Sequence, residues 1–253
     1  MTLRGKRILI TGASKGLGAV AARAFAERGA RLVLTARSQD ELEQVRKSCT
    51  NPEQHLCLPA DLLKGEGIEP GVNRATEFLG GIDVVLHAAG GGLGLKDELL
   101  AHGDFLKLFA LNLGAAAEIN RLVAPQMKER RSGNLVHVGS IASSEGVGSV
   151  GYNTVKAALA AYVRSLGREL SRFNIVATGI LPGGFISPGN SMARLRDANP
   201  GAYQKFIDER LPRKTMGDAR ELIPMLALLC SDDASMMGGC LVPIDAGEGK
   251  AYL

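Results

Sequence analysis

The sequence predicts an α/β fold in which helices cover both faces of a doubly wound parallel sheet. Two patterns in the 253 residues support this prediction. Short apolar runs rich in β-branched residues alternate with longer segments of helical spacing over about the first 180 residues. These runs are apolar almost throughout, which is typical of strands buried on both faces. Because parallel strands require crossover connections, usually helices, the alternation favours a parallel sheet with right-handed crossovers.

Strands and helices can be placed in order along the chain. The apolar runs predicted to be strands cover residues 7–11, 31–36, 55–59, 83–88, 134–139, 174–181 and 240–244. The segments with helical periodicity cover residues 17–28, 38–47, 72–79, 104–129, 152–172 and 218–230. The second helix begins with Ser38 and Glu41 at the spacing of a capping box. No composition shift marks a linker, so we expect one domain over residues 1–253.

Two stretches are rich in residues that interrupt regular structure. Three glycines and Pro70 between residues 65 and 71 leave room only for the short helix at 72–79. The segment 183–211 contains further prolines, glycines and asparagines, and it breaks the alternation of strands and helices. Because long irregular segments are usually functional or mobile, we expect 183–211 to be a substrate lid.

Charge and composition exclude several classes of protein. Lys and Arg exceed Asp and Glu by only 30 − 26 = 4, and no basic block indicates a nucleic-acid partner. The amino terminus runs directly into a predicted strand, without the pattern of a signal peptide or of a membrane span. The cysteines show no zinc-ligand spacing, and they are Cys49, Cys57, Cys230 and Cys240. We therefore expect a cytoplasmic protein with reduced thiols, no metal and no membrane or nucleic-acid partner.

A glycine-rich turn follows the first predicted strand. It reads Thr11-Gly12-Ala13-Ser14-Lys15-Gly16-Leu17-Gly18 and leads directly into a predicted helix. Glycine allows backbone to approach a pyrophosphate closely, and the amino end of a helix presents unpaired N–H groups to an anion. The turn therefore indicates dinucleotide binding, and the candidate residues are Gly12, Ser14, Lys15, Gly16, Leu17 and Gly18. The alternative is a tight loop in which the glycines only permit close helix packing.

The residue after the second strand bears on which dinucleotide is bound. NAD-binding sites usually have an acid about 20 residues after the glycines, whereas a 2′-phosphate requires positive charge. This sequence has Arg37 at that point, with Lys15 in the turn. Since a guanidinium forms charge-assisted hydrogen bonds with phosphate, we expect NADP(H) to be preferred over NAD(H). Arg37 could instead be solvated at a helix start, and Asp61 after the third strand could contact adenine or cap a helix.

Four side chains form a candidate reacting group. Tyr152 and Lys156 are four residues apart, so they share one face of a helix. A neighbouring ammonium lowers the pKa of a tyrosine from about 10, which would let Tyr152 exchange a proton with a ketone or alcohol oxygen. The alternative is a half-buried Tyr beside a solvated Lys. Ser140, at a strand end, could hold the same oxygen or cap a turn. Asn112, between leucines in a helix, could hold a water or open the helix locally.

Together these motifs resemble those of the short-chain dehydrogenase/reductase family, in its compact single-domain branch. The resemblance covers essentially the whole chain, in the family's order: Thr-Gly-x-x-x-Gly-x-Gly, Asp61, Asn112, Ser140, Tyr152-x-x-x-Lys156 and Pro182-Gly183. It implies a seven-stranded Rossmann sheet and NAD(P)(H)-dependent oxidoreduction. It implies that Tyr152 is the acid/base and that Ser140 polarises the substrate oxygen. Lys156 would bond the nicotinamide ribose and depress the pKa of the tyrosine, and Asn112 would support a proton-relay water. Further cofactor contacts are implied for Leu62, Ala89, Gly90, Pro182 and Gly183.

The chain departs from the family pattern at several positions. Where the family usually has Asn-Asn-Ala-Gly, this chain has His87-Ala88-Ala89-Gly90, so His87 either replaces the polar tie of those asparagines or fills the core. Ser187 stands near the usual threonine that touches the cofactor carboxamide, and the usual Asp-Gly-Gly near the end is Asp245-Ala246-Gly247. The assignment of Ser187 and Ile186 to the cofactor is therefore open. The resemblance also implies a homo-oligomer, a tetramer or dimer, with residues 251–253 near a neighbouring subunit.

The leading functional hypothesis is an NADPH-dependent ketoreductase acting on a small carbonyl substrate. Similarity to 3-oxoacyl-carrier-protein reductases suggests an acyl thioester as one substrate class. Arg130, Arg131 and Arg172 near helix ends could meet an acidic carrier, or only complement helix dipoles. One alternative is an alcohol or sugar-alcohol dehydrogenase working oxidatively. Another, from a different class, is a non-catalytic NADPH-binding regulator, against which the intact reacting groups argue.

Overall fold

The computed structural model describes residues 2–251, and its main sheet has seven parallel strands. These are β1 (Arg7–Thr11), β2 (Arg31–Ala36), β3 (Leu56–Pro59), β4 (Val84–His87), β5 (Gly133–Val138), β6 (Ile175–Pro182) and, after two shorter strands, β9 (Leu241–Ile244). Their spatial order is β3-β2-β1-β4-β5-β6-β9, and each neighbouring pair is parallel. The shorter strands β7 (Phe185–Ile186) and β8 (Gly217–Asp218) form a separate parallel pair. The predicted fold class is confirmed.

Helices cover both faces of the sheet. They are α1 (Gly16–Glu27), α2 (Gln39–Lys47), α3 (Ile68–Leu79), α4 (His102–Phe109), α5 (Ala115–Arg130), α6 (Val150–Leu170), α7 (Ser191–Ala198), α8 (Pro200–Arg210) and α9 (Ile223–Leu229). Side chains alternate between the faces of a strand, so Ile8 and Ile10 of β1 join the core with α1, α2 and α9. Leu9 joins the opposite core with α3 and α5. Both faces of the sheet are thus buried, as the continuous apolar runs predict.

Helix α3 begins at Ile68, four residues before the predicted start. The glycines and Pro70 were expected to exclude a helix there. Pro70 is the third residue of the helix, where an N–H group has no partner within the helix, so the missing donor costs nothing. The amide of Gly71 already donates to the Gly67 carbonyl at 3.1 Å. The prediction of a short helix at 72–79 was therefore wrong at its start.

The segment 183–211 is largely helical rather than irregular. Asn190 caps α7 by accepting from the Ala193 amide at 2.8 Å, and Asn199 caps α8 by accepting from the Ala202 amide at 2.9 Å. Pro200 is the first residue of α8, a position that suits its fixed φ angle. Residues that signal interruption in the sequence thus start two helices here. Among residues 2–251, no helix has the length and apolar character needed to cross a bilayer.

Candidate active site

The candidate site lies at the carboxyl ends of β1 and β4, where the strand order reverses. Gly12 follows β1 with a φ of 67°. A Cβ at Gly12 would come within 2.8 Å of the Ala89 backbone, and one at Gly18 would collide with the Gly12 carbonyl. Gly12 and Gly18 therefore permit close packing inside the turn, as the alternative interpretation of the turn predicts.

Gly16 has a different role, because the space in front of it is open. Its φ is 61°, and among residues 2–251 a Cβ there would meet, within 4 Å and outside its immediate neighbourhood, only the Ser187 hydroxyl at 3.8 Å. The Gly16 amide donates to the Pro188 carbonyl at 3.1 Å, so Gly16 contributes space rather than its own amide. Helix α1 begins at Gly16 itself, and within the described part of the chain its start has no side-chain cap and no acid in the first turn.

Ser187 gives a further indication that the site fits a dinucleotide. It is 5% exposed, and within residues 2–251 its hydroxyl is a buried polar side-chain atom without a hydrogen-bond partner. A buried hydroxyl left without a partner is costly, so a polar group supplied by a ligand would satisfy it. Together with the uncapped helix start, Ser187 suits a ligand that carries an anion and a further polar group.

The positive groups expected at the 2′-phosphate lie at the surface beside this turn. Lys15 is exposed and lies 3.5 Å from the Glu41 carboxylate. Arg37 is exposed immediately after β2 and, within the described part of the chain, pairs with no carboxylate. Asp61 accepts a hydrogen bond from the Leu63 amide at 3.1 Å, so it does cap a turn, while Leu62 beside it is buried.

Tyr152 and Lys156 lie side by side on α6, where Lys156 is buried and Tyr152 is half-buried. The Lys156 Nζ lies 5.6 Å from the centre of the Tyr152 ring and donates to the Val138 carbonyl at 3.0 Å. Burial lowers the pKa of Lys156 to about 8. Burial also raises the pKa of Tyr152, and the neighbouring Ser140 hydroxyl, as a hydrogen-bond partner, only partly offsets this. The expected lowering of the tyrosine pKa by Lys156 is therefore wrong for the protein alone, because desolvation favours the neutral form of both groups.

Ser140 stands at the end of β5 in an extended conformation. Its Oγ accepts from the Ala142 amide at 3.1 Å and so caps the short turn Ile141–Ser143. A hydroxyl that accepts one bond can still donate its hydrogen. The capping interpretation of Ser140 is thus correct, and it leaves the hydroxyl hydrogen for Tyr152 or a substrate oxygen.

Asn112 opens the long predicted helix, one of the two alternatives for this residue. The residues Ala110–Gly114 form a π-helical turn between α4 and α5. Asn112 donates to the Leu108 and Gly91 carbonyls at 2.9 and 3.0 Å and accepts from the Gly91 amide at 3.0 Å. A Cβ at Gly90 would lie 2.9 Å from Asn112 Oδ1 and 3.3 Å from Lys156 Nζ. Gly90 is therefore the point at which the two side chains converge.

His87 makes a buried polar contact where the family usually has asparagines, so it does more than fill the core. Its Nε2 donates to Asn120 Oδ1 at 2.8 Å, and its ring stacks on His137 with centroids 4.6 Å apart. Asn120 in turn donates to His137 Nε2 at 3.2 Å and to the Tyr162 hydroxyl at 3.1 Å. Asn120 was missed in the sequence, although a polar residue on a buried helix face is the same signal that singled out Asn112. A cavity of about 10 Å³ adjoins both His87 and Asn112, roughly the space of one water molecule.

The structure does not bring the arginines near helix ends to this site. Arg130 donates to the Ile82 carbonyl at 2.6 Å, and Arg131 donates to the Arg172 carbonyl at 3.0 Å. All three lie beside the amino ends of β5 and β6, the edge of the sheet opposite to Ser140 in the same chain. The expectation for residues 251–253 rests mainly on Tyr252 and Leu253, which lie outside the described residues.

Comparison with known proteins gives consistent results over the whole chain. Residues 6–197 match the sequence model of the short chain dehydrogenase family. Levodione reductase of Leifsonia aquatica is 33% identical, over 97% of this chain and 94% of that protein. A 3-oxoacyl-[acyl-carrier-protein] reductase of Vibrio cholerae is 28% identical, over 98% of each chain. The crystal structure of L-sorbose reductase from Gluconobacter frateurii with NADPH and L-sorbose superposes with a TM-score of 0.90, at 29% identity, over 100% of this chain and 99% of that one.

Proposed function

Because the chain belongs to the short-chain dehydrogenase/reductase family, and so is an oxidoreductase acting on carbonyl or alcohol groups, we propose that it is an NADPH-dependent ketoreductase. It would reduce a ketone to a secondary alcohol. The observation that carries this proposal is the convergence of Tyr152, Lys156 and Ser140 at the sheet edge that also holds the glycine-rich turn. The proton donor Tyr152, the Ser140 hydroxyl and the dinucleotide turn then face the same space.

Each side chain of the reacting group has a separate task in this proposal. NADPH, when bound, supplies the hydride. The Tyr152 hydroxyl donates its proton to the substrate oxygen, and its raised pKa keeps that proton in place until the oxygen becomes basic. Ser140 donates its remaining hydrogen to the same oxygen. Lys156, held by the Val138 carbonyl, would bond the nicotinamide ribose, and its positive charge would stabilise the tyrosinate left when the proton is donated.

The surrounding residues support that group. Asn112 fixes Gly91, whose neighbour Gly90 lies against Lys156, and the adjoining cavity has space for the water of a proton relay. The remaining proposed cofactor contacts follow the same edge: Ser14, Lys15 and Leu17 in the turn, Arg37 at the 2′-phosphate, Asp61 and Leu62 at the adenine, and Ala89, Gly90, Pro182, Gly183 and Ser187 toward the nicotinamide. The preference for NADPH over NADH is supported by Arg37, which meets no carboxylate within residues 2–251.

We propose that residues 183–211, with α7 and α8, act as the substrate lid of a single domain. The backbone bond from Gly16 to Pro188 supports this, because it lays the start of the segment across the dinucleotide turn. The relatives support a carbonyl substrate, since their names specify the reduction of levodione, of L-sorbose and of a 3-oxoacyl-[acyl-carrier-protein]. A homo-oligomer is supported by the exposed apolar side chains of Leu106 and Phe109 on α4 and Val150 on α6.

The proposal is tested by following oxidation of NADPH, and separately of NADH, by the purified protein. The substrate panel contains cyclic diketones, keto sugars and 3-oxoacyl thioesters, and the reverse assay offers the matching alcohols with NADP⁺. We expect turnover of at least one ketone, faster with NADPH than with NADH. Tight NADPH binding without turnover of any ketone or alcohol would instead favour a regulatory role.

A further inference from the structure

Arg210, the last residue of α8, connects the proposed lid to two other segments. Its Nη2 donates to Glu248 Oε1 at 2.7 Å, and its Nη1 donates to the Val147 carbonyl at 3.0 Å. The guanidinium also lies over the ring of Phe206, 4.9 Å from its centre. One side chain thus joins the end of α8 to the residues after β9 and to the segment between Ser140 and Tyr152.

Glu248 makes this contact a buried one. Its side chain is only 3% exposed, and its second oxygen accepts from the Gly184 amide at 2.5 Å. A Cβ at Gly183 would lie 2.7 Å from that oxygen, so the glycine turn after β6 closes directly on the carboxylate. A buried carboxylate with two fixed donors holds its partners far more firmly than a surface ion pair does.

The contact with Val147 leads directly to Tyr152. Gly148 is the next residue, and a Cβ there would come within 2.8 Å of Tyr152 Cδ1, so its backbone packs against the tyrosine ring. The Gly148 amide donates to Asn153 Oδ1 at 2.9 Å, which ties the same backbone to the first turns of α6. A shift of the Val147 carbonyl would therefore change the packing on the Tyr152 ring.

We infer that Arg210 is a positioning residue: together with Glu248 it holds the segment 145–149 against Tyr152 and ties the last turn of the proposed lid to it. This inference rests on the proposed role of Tyr152. Reactions are sensitive to misplacement of a reacting group by about 1 Å, which can cost about 100-fold. We therefore expect Arg210→Gln to lower kcat about tenfold or more. The Kd for NADPH should stay within about twofold, since the contacts of Arg210 with Glu248, Val147 and Phe206 involve no residue of the glycine-rich turn.

The chain offers a matched control three residues further on. Arg213 forms a bidentate ion pair with Glu221, with N–O distances of 2.7 and 3.0 Å. Both side chains are exposed, and within residues 2–251 neither bonds the segment 145–149. Arg213→Gln should therefore leave kcat unchanged. Arg210→Lys keeps the charge beside Glu248, but an ammonium group lacks the planar guanidinium that bonds Glu248 and the Val147 carbonyl together. This variant should remain folded, with a kcat between those of the wild type and Arg210→Gln.

The test combines steady-state kinetics with amide hydrogen exchange of peptides covering 144–153 and 200–212, measured on the full-length protein. We expect Arg210→Gln and Glu248→Gln to accelerate exchange in 144–153 and to lower kcat, and the double variant to lose little more than either. Unchanged exchange in 144–153 for folded Arg210→Gln and Arg210→Lys, or the same kinetics as Arg213→Gln, would overturn the inference. Exchange does not require turnover, so an enzyme inactive on every carbonyl would refute the proposed function while the exchange result still decides the role of Arg210.

Discussion

Lowering the pH from about 8 to about 5 should destabilise the folded protein through its buried histidines, above all His87 and His137; burial lowers the pKa of His55 as well. His137 is fully buried and His87 is 5% exposed. Burial lowers the pKa of His137 to about 4. Hydrogen bonds with the backbone of Thr178 and Leu135 act in the opposite direction, and the charge of Lys156 lowers the pKa further. Burial, followed by the proximity of His137, also lowers the pKa of His87 well below its ordinary value. Burial therefore keeps both rings neutral, and the hydrogen bond with Asn120 offsets this only in part at His87.

The sign and size of the effect follow from linkage. The unfolded chain binds a proton at His137 near pH 6.5, whereas the folded protein binds it only near pH 4. Stability is therefore full above about pH 6.5 and is lost as the pH falls toward 4. The lower pKa in the folded protein corresponds to ~3 kcal/mol at the acid limit and to ~2 kcal/mol at pH 5, and His87 adds to it. Asp218 and Glu221, whose hydrogen bonds with Arg220 and Arg213 hold their pKa values near 2, contribute only below about pH 4.5.

The assay is denaturant unfolding at about pH 8, 6 and 5, followed by circular dichroism. We expect the free energy of unfolding to fall by at least ~2 kcal/mol between pH 8 and pH 5. The variant with His87→Asn and His137→Asn should be less stable at pH 8 but lose less on acidification. His102→Asn is the matched control, since His102 is exposed. An unfolding free energy that stays level from pH 8 to pH 5 in the wild type, or an equally steep loss in the double variant, would refute the reasoning.

Further predictions concern the cofactor turn and the convergence at Gly90. Arg37→Asp should weaken NADPH binding at least ~10-fold, as expected for the loss of a charged hydrogen bond, and NADH binding by less than ~3-fold; equal weakening in fluorescence titrations would place Arg37 away from the 2′-phosphate. Gly90→Ala should cost ~1–3 kcal/mol in denaturant unfolding, because the new Cβ lies 2.9 Å from Asn112 Oδ1. Gly103→Ala, in open space on α4, should leave the free energy of unfolding unchanged or raise it. If Gly90→Ala costs no more than Gly103→Ala, the Asn112 side chain moves aside without a penalty and the reasoning is wrong.

Local patterns predicted most of the sheet and part of the site. The strands appear as unbroken apolar runs because both faces are buried, and the turn after β1 is recognisable because its glycines are close in sequence. The local opening of the helix at Asn112 was also predictable, because an amide between leucines on a buried helix face needs hydrogen-bond partners. One of these partners is the Leu108 carbonyl, just before the π-helical turn. These features depend on neighbours a few residues away.

Features that depend on distant parts of the chain were not predictable. Arg210 and Glu248 are 38 residues apart, and neither stands out among ordinary charged residues until the fold joins them. The pKa of Tyr152 depends on how deeply it is buried, which helical spacing from Lys156 does not reveal. The helices α7 and α8 were hidden for a different reason, because Asn199 and Pro200 are as typical of a helix start as of a loop.

The proposed role of Tyr152 is tested most directly by comparing Tyr152→Phe with the wild type on one reducible ketone and NADPH. The variant removes only the hydroxyl that would donate the proton, and Tyr162→Phe, a second tyrosine on the same helix that bonds Asn120, serves as the control. We predict that Tyr152→Phe binds NADPH with an unchanged Kd but turns over about 100-fold to 10,000-fold more slowly, the range for loss of a general acid, while Tyr162→Phe remains active. Turnover near the wild-type rate in folded, NADPH-binding Tyr152→Phe would contradict the assignment of Tyr152 as the proton donor.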